Sequence, residues 1–217
     1  MEDPGERGTH RVEAFTDGFF AIVITLLVLD LRLPEESNGR SIEHQLVALW
    51  PVALAYIVSF VNIYILWVSH HELMRITTKA DTGFLYLNGG LLLGVAIMPF
   101  STSVLADHVN TSDATAPAAL YTGALLWVAL FFNLLWRYLC ARPGRLLRSV
   151  SRQDRRRITR TQAVTLLLYL SAFGLAWLAP MASIAVTLGL AVFFAVADRL
   201  SGFASEDVAD ENEPRAS

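Results

Sequence analysis

The sequence predicts an all-α, polytopic membrane protein with six transmembrane helices. Composition is the first observation: 54% of the residues are hydrophobic and 17% are charged, and the mean hydropathy of +0.45 exceeds that of ordinary soluble domains. Spacing is the second, because apolar windows of about 20 residues recur along the chain and a hydrocarbon core of about 30 Å needs that length of helix. The third is the placement of lysine and arginine, which concentrate in alternate loops as expected of a chain that crosses back and forth.

The windows fall at 14–33, 47–69, 83–105, 118–139, 160–179 and 181–199. Before the first, Met1 to Arg11 is polar and acidic and carries no apolar signal-peptide region, so the first span is expected to act as its own targeting signal. The fourth ends near Cys140, whose solitude excludes a disulfide framework within the chain and marks it as a small packing residue. Pro180 alone separates the fifth and sixth, which predicts a tight hairpin with the proline ring at the boundary. One six-helix membrane domain is expected over 1–204, followed by an acidic, disordered cytoplasmic tail at 205–217.

The basic residues orient the chain. Arg7 and Arg11 precede the first span, Arg75 and Lys79 follow the second, Arg137 to Arg160 surround the link between the fourth and fifth, and Arg199 and Arg215 follow the sixth. All lie on one side of a six-span chain, while the other side holds Arg32 and Arg40 among Glu35, Glu36, Glu43, Asp107 and Asp113. The positive-inside rule places both termini in the cytoplasm, in a plasma-membrane protein. The net charge of -3 hides this asymmetry because the acidic tail offsets the arginines. An arginine-rich stretch invites a nucleic-acid reading, but its position between two spans points to a topogenic loop facing lipid headgroups, and no nucleic-acid partner is expected.

The first span differs from the others. It carries Thr16, Asp17, Thr25, Asp30 and Arg32 among apolar residues, and ionisable groups at membrane depth are costly unless they face protein or water. That makes it the best candidate to line a pore. At about 3.6 residues per turn, Arg11, Gly18, Ile22, Thr25, Leu26, Leu29 and Leu33 share one stripe and Asp17 points away from it. By periodicity alone the stripe serves equally well as the packing face of the helix.

The run Arg11 to Asp30, RVEAFTDGFFAIVITLLVLD, closed by Pro34, closely resembles the first-helix signature of the transmembrane protein 175 family, the endosomal and lysosomal potassium channel and its prokaryotic relatives. Trp67 with His70 and His71, then Asn88, then Pro99-Phe100-Ser101 resemble its second and third helices, so the likeness covers residues 11–101. Thr16 stands where the family usually has serine, Phe19 where it has a smaller valine, and Asp30 where glutamate is common.

The resemblance implies a potassium-permeable, potassium-selective cation channel without the Thr-Val-Gly-Tyr-Gly filter, which this sequence also lacks. It implies that the first helix lines the central pore of a homotetramer, with aliphatic gate rings at Ile22, Leu26 and Leu29 and a threonine layer at Thr25 as the selectivity candidate. Permeating potassium ions and membrane lipid are the other expected partners, with no cofactor and no bound metal. It further implies an inter-helix network of Arg11, Phe15, Thr16, Asp17, His70, His71 and Asn88. From the residues alone, His70 and His71 serve equally as an interfacial pair beside Arg75, and Thr25 can bond back to its own helix. His-His-Glu at His70 to Glu72 lacks the i, i+4 spacing of metal-binding helices, so no catalytic centre is expected. The rivals are a small secondary transporter, for which Gly89, Gly90, Gly94 and Pro99 are the one helix interruption, a proton-leak channel of the same architecture, and a non-conducting interaction protein.

Overall fold

The computed structural model describes residues 4–31, 41–108, 113–148, 150–191 and 193, and all of its regular structure is helical. Helix α1 runs Pro4–Leu26 and tightens into a 3-10 turn at Leu27–Asp30. A short α2, Ile42–Ala48, leads into α3, Trp50–Arg75. Helices α4 and α5 cover Thr82–His108 and Thr115–Cys140, α6 covers Arg152–Ala176 and α7 covers Pro180–Ala191. Among the described residues, four segments are long and apolar enough to cross a membrane: Gly8–Leu29, Val52–Arg75, Thr82–His108 and Thr115–Cys140. The chain is a multi-pass membrane protein.

Several boundaries differ from the sequence expectation for identifiable reasons. The first helix begins at Pro4 rather than near residue 14, because a helix continues into water beyond the hydrocarbon boundary. The fifth begins at Arg152 rather than near residue 160: Ser151 caps it, its hydroxyl accepting from Asp154 N at 3.0 Å, so the arginine-rich stretch supplies the first two turns of a helix instead of a loop. Helix α2 was not expected, since seven residues are too few to give an apolar window. Pro180 opens α7 instead of merely ending α6, a position where its missing N–H costs nothing. The hairpin is tied by Ser183 Oγ, which donates to Ala172 O at 2.7 Å. Arg32, Glu35, Glu36, Arg40, Arg199 and the tail 205–217 lie outside the described residues.

Helices α4 and α5 form the centre of the fold, α4 packing with α1 and α3 and α5 with α6. Glycine makes the α4–α5 approach possible. A Cβ on Gly90 would fall 2.0 Å from Phe131 Cε1, and one on Gly94 would fall 2.5 Å from Trp127 Cδ1. Trp127 Nε1 also donates to Gly90 O at 2.8 Å. Helix α4 passes unbroken through these glycines and through Pro99, so they serve close packing and do not break the helix as a transporter site would require. Gly90→Ala is therefore expected to lower stability by about 1–3 kcal/mol through overpacking. Gly89→Ala, which meets nothing within 4 Å, should leave thermal unfolding in detergent unchanged or slightly raised; equal stability of the two variants would contradict the packing account.

The loops on one side of the bundle are pinned together. Thr77 and Leu147 form an antiparallel bridge, Thr78 N donates to Leu146 O and Arg148 N to Ile76 O, both at 2.8 Å, and Thr9 Oγ1 on α1 reaches Thr78 O at 3.4 Å. The basic loops after α3 and α5 and the start of α1 thus share a side. Asp81 reinforces the clip, accepting from Phe84 N and from the Tyr138 hydroxyl, both at 2.9 Å. Burial raises its carboxyl pKa, but these bonds with Arg142 and Arg145 nearby outweigh that and hold it below the ordinary value. The small stabilisation this brings is present above the ordinary carboxylate range and lost as pH falls through the lowered value.

Candidate functional site

Helix α1 has two unlike faces. Thr16, Phe20, Val23 and Leu27 are buried against α3 and α4. Arg11, Gly18 and Thr25 on the opposite stripe are exposed, as are Ile22 at 61%, Leu26 at 43% and Leu29 at 54%. The stripe is therefore not the face by which α1 packs within its own chain. Thr25 Oγ1 donates to Ile22 O at 2.8 Å, which is the back-bond to its own helix. The proton is used, but the oxygen keeps lone pairs that can still accept. Leu33 lies outside the described residues.

The buried face is held by a chain of side chains. His70 on α3, fully buried, lies with Nε2 2.9 Å from Asn88 Oδ1 on α4. An amide oxygen can only accept, so Nε2 carries the proton. Asn88 Nδ2 then donates to Thr16 Oγ1 at 3.0 Å, and the Phe20 ring packs 6.1 Å from the imidazole. Three helices are joined in one register by this relay. His70 Nδ1 has no hydrogen-bond partner among the described residues.

A second contact lies beside it. Trp67 Nε1 donates to Asp17 Oδ1 at 2.9 Å, giving the carboxylate at membrane depth the partner it needs. His71 faces another way from His70: half-exposed, its ring lies tilted 6.0 Å from that of Trp67, and its Nδ1 lies 3.3 Å from Glu13 Oε1. The two histidines thus face different surroundings. Arg11 and Phe15 lie off both contacts, lining a surface hollow with Ala80, Asn88 and Leu92. Phe15 is 64% exposed and sits 6.4 Å from Phe19.

Sequence reasoning missed Trp67 and Glu13 as members of this constellation. A signal for the first was present, since an indole N–H in a span requires an acceptor and Asp17 requires a donor. It also missed a second buried cluster: Thr102 and Ser59 hydroxyls lie 2.8 Å apart, and Ser59 donates to the Tyr121 hydroxyl at 3.1 Å. Tyr169 OH donates to Asn62 Oδ1 at 3.3 Å nearby. These bonds join α3, α4, α5 and α6 and bear on packing.

Residues 11–99 match the family described as the endosomal/lysosomal potassium channel TMEM175. A potassium channel of Chamaesiphon minutus is 36% identical over 198 residues, covering 90% of this chain and 98% of its own length. The crystal structure of a lysosomal potassium-selective channel TMEM175 homolog from the same organism superposes with a TM-score of 0.79 at 36% identity, over 87% of this chain and 97% of that one. The human endosomal/lysosomal proton channel TMEM175 is 37% identical over 135 residues, which span 58% of this chain and 27% of the human protein. A near-full-length relative at this identity, a shared fold and the matched first helix together settle the kinship: the chain belongs to the TMEM175 family, whose members are ion channels and not enzymes.

Proposed function

We propose that four copies of this chain surround a central pore lined by α1 and conduct potassium in preference to sodium across the plasma membrane. The observation that carries this is the outward-facing stripe of Ile22, Thr25, Leu26 and Leu29 on a helix whose other face is locked by Thr16 and Asn88. One pore-lining helix per chain cannot enclose a pore, so oligomerisation is required. The spans in this reading are α1, α3, α4, α5, α6 and α7, with both termini cytoplasmic and the membrane domain ending near residue 204.

The chemistry follows from the stripe. A ring of isoleucines leaves a narrow aliphatic constriction in which an ion finds nothing to replace its hydration shell, so Ile22, with Leu26 and Leu29, forms a hydrophobic gate. Thr25 lies about one turn away on the same face, toward the extracellular side. Because its proton bonds back to Ile22 O, four such hydroxyls present lone pairs at one level, a neutral oxygen ring suited to a weakly hydrated cation. The network residues set the angle and height of α1 and do not touch the ion.

Proton passage through the same architecture is the second reading, favoured by the His70–Asn88–Thr16 chain and by the name of the animal relatives. Unitary currents from purified protein in planar bilayers, with reversal potentials under potassium, sodium and pH gradients, separate these readings. Steps that reverse near the potassium potential support the first, reversal at the proton potential the second, and turnover without unitary steps removes both. Mass measurement in detergent should give a tetramer; a stable monomer removes the pore. For orientation, a cysteine at Ser112 is expected to react with an impermeant reagent applied outside and one at Val150 is not, and the reverse pattern inverts the topology.

A further inference from the structure

We propose that Glu13, Asp17 and His71 form a binding site for a divalent transition-metal ion of the zinc class, which tethers α1 to α3 at the basic side of the bundle. Their ligand atoms, two carboxylate oxygens and an imidazole nitrogen, all lie within 4.8 Å of one another. Zinc bonds of about 2.0–2.2 Å in tetrahedral geometry set ligands about 3.4 Å apart, and His71 Nδ1 and Glu13 Oε1 are already 3.3 Å apart. Only a small side-chain closure of Asp17 separates the observed cluster from a coordination shell.

The arrangement has the marks of a site rather than of a chance cluster. Glu13 and Asp17 are spaced i, i+4, so they share the face of α1 that meets α3. Asp17 Oδ1 is held by the Trp67 indole at 2.9 Å, an outer hydrogen bond of the kind that orients a ligating carboxylate and leaves its second oxygen for a metal. His71 Nδ1 is shielded from solvent and makes no hydrogen bond among the described residues, so the Nε2–H tautomer can offer its Nδ1 lone pair to a cation. Two carboxylates and a neutral imidazole carry a charge of -2, which a divalent ion cancels. Magnesium and calcium prefer shells made of oxygen, so the imidazole favours zinc and its neighbours. Three protein ligands leave a position for water, and Glu13 at 22% exposure and His71 at 44% leave the ion a path in.

The proposal does not depend on what α1 lines, and the experiment reads binding rather than current. Full-length protein in detergent is dialysed against zinc chloride and its bound zinc counted, then titrated with cobalt(II), whose visible d–d bands report nitrogen and oxygen ligation. About one ion per chain is expected, with zinc raising the unfolding temperature. Glu13→Gln and His71→Gln, both at partly exposed positions that should not disturb folding, are each expected to weaken binding about tenfold or more and to abolish the cobalt bands. His44→Gln, on α2 and bonded to Ser41, should leave both unchanged. The rival is a plain ion pair between protonated His71 and Glu13. Absence of stoichiometric zinc, or binding and cobalt bands unaltered in both glutamine variants that elute as the wild type does, overturns the site.

Discussion

Ile22→Asn is expected to raise single-channel conductance by about tenfold or more while leaving the oligomer intact. Ile22 is 61% exposed within its own chain, so the substitution removes little packing from the fold of one chain. In the proposed tetrameric pore it would replace four aliphatic groups with four amides at the proposed gate, admitting water and lowering the barrier to an ion that must otherwise shed its shell. A barrier lowered by about 1.4 kcal/mol is worth a factor of ten in rate. If Ile22 instead packs against a neighbouring chain, the amide enters an apolar contact at about 1–3 kcal/mol per chain, and the yield of assembled protein falls with no gain in current. The two accounts differ in sign. Thr25→Val is the companion variant: it keeps the shape, removes the oxygen, and should reduce the preference for potassium over sodium in bi-ionic reversal potentials. The bond from Thr25 to Ile22 O does not weaken that expectation, because in the proposed filter the oxygen and not the proton would meet the cation. Unchanged selectivity in Thr25→Val, or unchanged currents in well-folded Ile22→Asn, shows that this face does not line a pore.

What the sequence made legible, and what it did not, follows from the range of the interactions. The order and approximate limits of the long spans rest on apolar length, a local property: α4 and α5 lie within three residues of their windows, while α3 runs six residues past the end of its own. The two-faced character of α1 was legible for the same reason: Thr16, Phe20, Val23 and Leu27 recur at helical spacing. Periodicity marks such faces without saying which of them the fold buries, and the structure decides that by placing Asn88 over Thr16. Pairings between helices had no local signal. Trp67 and Asp17 are 50 residues apart, and Glu13 meets His71 only because α1 and α3 cross there. The adjacent pair His70 and His71 looked like one feature in sequence and is two in space, since neighbours on a helix point about 100° apart. Gly90 and Gly94 were similarly ambiguous between a hinge and a close approach, and only the rings of Phe131 and Trp127 resolve them.

The polar clasp predicts the second large effect, on assembly instead of current. Asn88→Leu keeps the branched skeleton of the native residue but can neither accept from His70 nor donate to Thr16, both of which are fully buried. A buried donor or acceptor left without a partner costs about 1–3 kcal/mol, so two stranded groups cost about 2–6 kcal/mol, a large share of the stability of a typical domain. Failure to recover folded oligomer is the expected outcome, seen as loss of the main size-exclusion peak and a lower unfolding temperature. Asp17→Ala acts in the same direction but less strongly, because it strands the single indole N–H of Trp67; whatever assembles should keep wild-type ion preference, since Asp17 lies off the exposed stripe. Asp17→Asn keeps an oxygen for that N–H and should recover much of the yield, which separates loss of the hydrogen bond from loss of the charge. An Asn88→Leu protein that assembles with wild-type stability would mean that the register of α1 is set by its apolar contacts, with Phe20, Val23 and Leu27 sufficient and the buried polar chain incidental to the fold.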